Sequence, residues 1–143
     1  MTWAARSPRE STGQAAGGGR PVGVLVVDDS LVFRTGMTRA VQACADMALL
    51  GEADGGEAAL EAIAELEPDL VILDLLMPDL DAFGVLRALR AQESPPDCRV
   101  LVISATLDDE VERDLLAAGA DACMSKAQTR ASICDEALRL VAR

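Results

Sequence analysis

The sequence predicts an α/β fold, a (βα)5 chain whose five parallel strands form one doubly wound sheet with helices on both faces. Three observations predict it. Short apolar runs rich in β-branched residues recur five times, at 22–27, 47–51, 69–74, 99–103 and 121–125. Helix-length segments with apolar residues at helical spacing separate them. Within three of the runs, 24–27, 70–73 and 100–103, every residue is apolar, the pattern of a strand covered on both faces.

The elements follow in order. After the first run, Ser30 offers a hydroxyl to cap a helix whose buried stripe is Phe33, Met37, Val41 and Cys44. Leu60 and Ile63 mark a second helix, and Val85, Leu86 and Leu89 a third. Leu107, Val111, Leu115 and Ala118 form the stripe of a fourth, which Gly119 stops. Thr129 caps a fifth, carrying Ile133, Ala137, Leu140 and Val141. Alternation of this kind, joined by right-handed crossovers, places ligands beyond the carboxyl ends of the strands. Residues 21–143 form this single domain, large enough for one core without disulfides. Residues 1–20, with Ser7, Pro8, Ser11, Gly13 and a Gly17–Gly19 run, are expected to be a flexible tail.

Composition excludes several functions. Half of the 143 residues are apolar but only Trp3, Phe33 and Phe83 are aromatic, so the core is aliphatic. A net charge of −11 argues against binding to nucleic acid or an anionic membrane. No run approaches a membrane span, and no signal peptide is evident. Cys44, Cys98, Cys123 and Cys134 are widely spaced and there is no histidine, which suits small buried residues in a reducing cytosol better than a zinc site or disulfides.

Polar residues cluster at the predicted strand ends. Asp28 and Asp29 follow the first strand, Asp74 ends the third, Ser104 follows the fourth and Lys126 the fifth. Each alone has an ordinary explanation: an acidic helix start, a turn residue, a loop hydroxyl bonded to local backbone, a surface lysine. Together they bring three carboxylates, a hydroxyl and an ammonium to one rim. Clustered carboxylates repel, and a divalent cation relieves them; magnesium prefers one or two carboxylates plus water and phosphate oxygens. Lys126 is the single lysine of the chain, against twelve arginines. It supplies a compact point charge where arginine would supply a planar fork.

The stretches VGVLVVDDS, EPDLVILDLLMPDLDAFGVL, VLVISA and GADACMSK resemble the receiver domain of two-component response regulators, a CheY-like family, over about residues 21–143. Asp29 to Asp74 spans 45 residues, Asp74 to Ser104 spans 30, and Ser104 to Lys126 spans 22, as in that family. The resemblance implies the flavodoxin-like strand order 2-1-3-4-5. It implies that Asp74 is the phosphoacceptor, that Asp29 binds Mg2+ directly and Asp28 largely through water, and that Asp74 and the backbone carbonyl of Leu76 complete the protein ligands. Ser104 would donate to a phosphoryl oxygen and Lys126 would pair with another, offsetting the charge of about −2 on a phosphorylated side chain. The domain would catalyse its own phosphorylation and dephosphorylation without being a metabolic enzyme. The donor, acting in trans, would be a sensor histidine kinase, a histidine phosphotransfer protein or a small phosphodonor. The output would be a protein–protein contact through the fourth helix, fifth strand and fifth helix, in a cytoplasmic monomer or phosphorylation-dependent dimer.

Three departures stand out. Cys123 occupies the place of the family's usual switch aromatic, and no neighbour in the sequence supplies a ring. Ala82 replaces a common glycine. Ala127 replaces the frequent proline after the lysine, so a trans peptide is expected there. That ending, with LLGEADGGEAAL, leans towards NarL/FixJ-type receivers, but no DNA-binding domain follows, so the chain is expected to be stand-alone. The alternative is a binding module of the same fold that signals without phosphorylation. A flavodoxin-like FMN protein would need a Ser/Thr/Gly-rich loop after the first strand, and a two-aspartate phosphatase a DxD there; Asp28-Asp29-Ser30-Leu31 provides neither.

Overall fold

The computed structural model describes residues 19–142. Ten elements alternate in order: β1 (Val22–Val27), α1 (Leu31–Ala43), β2 (Met47–Ala53), α2 (Gly56–Leu66), β3 (Leu70–Asp74), α3 (Ala82–Arg90), β4 (Arg99–Ser104), α4 (Asp109–Ala118), β5 (Ala122–Ser125) and α5 (Arg130–Ala142). The five strands pair in parallel in the order β2-β1-β3-β4-β5, as the resemblance implies. Most of the segment expected to be a flexible tail lies outside the described residues.

Two cores flank the sheet because successive strand residues face opposite ways. Leu25 and Val27, Val71 and Leu73, and Val100 and Val102 point to one face, where α2, α3 and Leu115 of α4 cover them. Val24 and Val26, Leu70 and Ile72, and Leu101 and Ile103 point to the other, against α1 and α5. All twelve are essentially solvent-free, which is why these runs show no polar alternation. Burying each such side chain is worth about 1.5–3 kcal/mol, so the central strands carry much of the fold's stability.

The helices contribute unequally. α2 presents Ala59, Ala62, Ile63 and Leu66 to the core, with Leu60 only partly buried; its small alanines let the helix approach the sheet closely. α4 buries only Leu115. Ser30 caps α1 by accepting from the Phe33 amide at 3.3 Å, and Thr129 accepts from the Ser132 amide at 3.0 Å. Asp81 and Asp108 cap α3 and α4 in the same way, at 3.0 and 2.8 Å. α2 has no local cap. Asp79, 23 residues downstream, accepts from the Gly56 and Glu57 amides, each at 3.0 Å. Donation from those two amides, Glu57 first, holds the Asp79 carboxyl below its ordinary pKa. The β3–α3 loop is thereby tied to the start of α2.

β2 runs two residues beyond its apolar stretch, through Glu52 to Ala53, and Leu50 bulges between the pairs Val24–Leu49 and Leu25–Gly51. No cis peptide bond occurs among the described residues.

Gly119 ends α4 at φ +118°, and a Cβ there would lie 2.7 Å from Arg90 Nε. That guanidinium donates to the Gly119 carbonyl at 2.6 Å. Gly119→Ala should destabilise the fold by about 1–2 kcal/mol in urea denaturation; an unchanged midpoint would show that the turn relaxes freely.

Candidate functional site

The strand order reverses at β1, which has β2 on one side and β3 on the other. Beyond that switch point an open sheet leaves a crevice at its carboxyl edge. Asp28 lies one residue past β1, Asp74 ends β3, Ser104 ends β4, and Lys126 lies one residue past β5. The Lys126 amide donates to the Ser104 carbonyl at 2.8 Å and the Asp28 amide to the Ala53 carbonyl at 3.1 Å. The ladders thus hold both residues at the rim.

Lys126 Nζ lies 2.8 Å from Asp28 Oδ2 and 3.3 Å from Asp74 Oδ1. Both carboxylates are buried, whereas Asp29 is exposed beside them. Asp28, Asp29 and Asp74 each bring a carboxylate oxygen within 4.8 Å of the others. Asp28 Oδ1 accepts from the Ser30 amide at 2.8 Å. Its Oδ2 is buried and takes no hydrogen bond, so the lysine serves it as a counter-charge off the hydrogen-bonding angle. An all-oxygen cluster with one such unsatisfied oxygen, and three negative charges against one positive, fits a hard divalent cation.

Of the expected site residues, Asp28, Asp29, Asp74 and Lys126 come together. Leu76 lies on the loop after β3, its side chain exposed, and shares a shallow depression with Asp29, Met77, Pro78 and Asp81. Ser104 is at the rim but its hydroxyl faces its own loop: Oγ donates to the Thr106 carbonyl at 3.0 Å and accepts from the Thr106 amide at 3.1 Å. The ordinary role of a loop hydroxyl is the one it plays in this conformation. Cys123 is half-buried, and burial first, then the charge of Glu112, pushes its thiol up to about 11, so it stays protonated.

Two residues escaped the sequence reading. Arg34 Nη1 donates to the Asp28 carbonyl at 2.7 Å, while its Nε donates to Glu52 Oε1 on β2, also at 2.7 Å. The guanidinium pins the acidic loop to the neighbouring strand. A signal was present, since an arginine in the first turn of a helix opposes the macrodipole and needs a specific partner. Phe33, read as the top of a core stripe, is half-buried with its ring 4.5 Å from Lys126 Nζ. The absence of a ring near the lysine holds along the sequence but not in space.

Burial, then the charge of Asp28, raises the Asp74 carboxyl from 3.8 to about 6, although Lys126 opposes the rise. Burial would lower the Lys126 ammonium, but contact with Asp28 and the charges of Asp74 and Asp28 outweigh it, and its pKa rises. The lysine therefore stays charged at neutral pH. Because folded Asp74 holds its proton more tightly than the unfolded chain does, its contribution to stability is full below about pH 4 and lost as pH rises to about 6. Asp74→Asn cannot ionise and escapes that loss. In metal-free buffer at neutral pH it should be more stable than the wild type by up to about 3 kcal/mol, and the gap should close as pH falls through 6 towards 4. Equal urea midpoints at neutral pH would refute this.

The sequence matches the family described as response regulator receiver domain over residues 24–138. Over 107 residues, 74% of the chain, it is 41% identical to protein-glutamate methylesterase/protein-glutamine glutaminase 5 of Myxococcus xanthus, covering 30% of that protein. Over 118 residues, 82% of the chain, it is 37% identical to the response regulator GacA of Pseudomonas viridiflava, covering 54% of that protein. The chain thus spans about half or less of the length of these relatives. The signal receiver domain of the putative response regulator NarL from Mycobacterium tuberculosis superposes with a TM-score of 0.82 at 36% identity, over 87% of this chain and 98% of that one. No helix among the described residues is long and apolar enough to cross a membrane. On sequence and fold alike, the chain belongs to the receiver domain family of two-component response regulators.

Proposed function

We propose that residues 21–143 act as a phosphoacceptor switch in which Asp74 takes a phosphoryl group from a phosphohistidine or a small acyl phosphate. The observation that carries this reading is the contact of one ammonium with two buried carboxylates at the sheet's switch point. An Asp74 carboxylate oxygen forms the new bond to phosphorus, while the P–N bond of phosphohistidine or the P–O bond of the small donor breaks and the leaving group departs with its electron pair. Asp28, Asp29 and Asp74, with the Leu76 carbonyl, would hold Mg2+. Bound there, the metal neutralises charge between the carboxylates and the phosphoryl oxygens.

The chain's own residues do the positioning. Lys126 already neighbours both Asp28 and Asp74, so a small displacement of its ammonium brings it to a phosphoryl oxygen. Ser104 donates to another only after leaving Thr106, which frees that carbonyl and amide in the loop before α4. α4 buries one residue fully, Leu115, and packs Val111 and Ala118 against the core only in part, so fewer contacts resist its displacement than resist that of the central strands. Phosphorylation would shift the face of α4, β5 and α5; Leu116 of α4 is exposed and β5 is only half-buried. A cytoplasmic protein partner reading that face, and a sensor kinase or phosphotransfer protein as donor, complete the proposal.

With Mg2+ and acetyl phosphate, the purified protein should gain one phosphoryl mass, and Asp74→Asn should gain none. No gain with either acetyl phosphate or a phosphorylated kinase would leave a binding module of receiver fold instead. Lys126→Arg should keep Mg2+ affinity within about threefold, by calorimetry, yet lose most of the phosphorylation-dependent amide shifts on α4 and β5. Equal loss of both would mean that the lysine only holds the acidic pocket together.

A further inference from the structure

Phe33 engages two cations. Its ring centroid lies 4.5 Å from Lys126 Nζ and 5.3 Å from the guanidinium carbon of Arg130. Three stretches meet there: the first turn of α1, the residue after β5 and the first residue of α5. Gly36, three residues along α1, leaves room for Arg130, because a Cβ at that position would collide with the guanidinium. Arg130 forms no ion pair among the described residues, and a cation at a helix N-terminus is disfavoured by the macrodipole. Its contact with the ring compensates for that position.

A purely packing role would bury Phe33 among aliphatic side chains, as it does Met37 and Val41 on the same stripe. Phe33 packs against the same core only in part, leaving its ring half-buried with two cations beside it. The lysine needs such a surface. Asp28 and Asp74 both attract its ammonium, and a third carboxylate steadying it would add negative charge where an anionic phosphoryl group must enter. An aromatic quadrupole attracts the ammonium without bringing a charge, and weakly enough to release it to a phosphoryl oxygen.

We propose that Phe33 is the positioning residue of Lys126, its ring keeping the ammonium over the pocket between Asp28 and Asp74, with Arg130 as the outer wall of the same aromatic contact. The role rests on the phosphoacceptor reading. It places an aromatic beside the lysine from α1, in a chain that has Cys123 where the family's switch ring would stand.

The single lysine makes the test direct, since protein labelled with 13C-lysine shows one set of lysine side-chain signals. Wild type, Phe33→Leu and Phe33→Tyr are compared, leucine preserving an apolar side chain of similar bulk and tyrosine preserving the ring. Phe33→Leu should slow phosphorylation by acetyl phosphate roughly ten-fold, keep Mg2+ affinity within about twofold, and move the Lys126 ε-methylene protons downfield as the ring-current shift disappears. Phe33→Tyr should restore rate and shift together. A wild-type rate in Phe33→Leu would overturn the proposal, as would equal losses in both variants or a parallel loss of Mg2+ affinity. If Phe33→Leu fails to fold, Phe33→Tyr still decides, because a wild-type lysine shift with a strongly reduced rate refutes positioning by the ring. Failure of the wild-type protein itself to gain a phosphoryl group would instead remove the phosphoacceptor reading, and this role with it, whatever the lysine signal shows.

Discussion

The contact of Lys126 with Asp28 and Asp74 is the constraint around which the functional rim is arranged. Two carboxylates buried side by side repel each other and have lost most of their hydration. One ammonium within 3.3 Å of both makes the arrangement tolerable without cancelling it. The raised pKa of Asp74 is the residue of that imbalance. A pocket still short of positive charge would suit a divalent cation. In the proposed function, a cation held there would let an anionic phosphoryl group approach a carboxylate that otherwise repels it.

Other acidic residues show how different this rim is. At the opposite edge of the sheet, Asp69 accepts from the Gly23 amide at 2.8 Å and Asp121 from the Val100 amide at 2.7 Å, so these carboxylates satisfy the amides of the second residues of β1 and β4. Asp79, Asp81 and Asp108 satisfy the first donors of helices. Each has a structural use. Asp28 keeps a buried oxygen with no hydrogen bond, and Arg34 holds the backbone of Asp28 rather than its charge. The fold fixes the position of the acidic loop and sets three carboxylates against a single ammonium.

The proposed switching has a comparable physical basis. The central strands are packed on both faces and cannot deform cheaply. α4 buries only Leu115 fully, with Val111 and Ala118 partly buried against the core, and β5 is half-exposed along its length. Ser104 joins the two regimes, with its backbone in β4 and its hydroxyl engaged with Thr106 in the loop before α4. In the proposed switch, a change in what that hydroxyl bonds would be transmitted first to the part of the structure least able to resist it.

Local chemistry determined most of the architecture. The fully apolar stretches at 24–27, 70–73 and 100–103 indicate strands covered on both faces, and the stripes through Met37, Val85, Leu115 and Ile133 indicate helices facing them. Parallel pairing then carries Asp28, Asp74, Ser104 and Lys126 to one edge, so the rim was legible from spacing along the chain. Tertiary structure alone decided what depends on side-chain direction and on contacts between distant segments. Asp79 caps a helix that begins 23 residues earlier, the Ser104 hydroxyl turns away from the pocket, and Arg34 bridges Asp28 to Glu52. Phe33 reaches a lysine 93 residues away. Periodicity fixes which face of an element is apolar. It carries no information about which partner a half-buried ring or a long cation meets when separate elements close over the same edge.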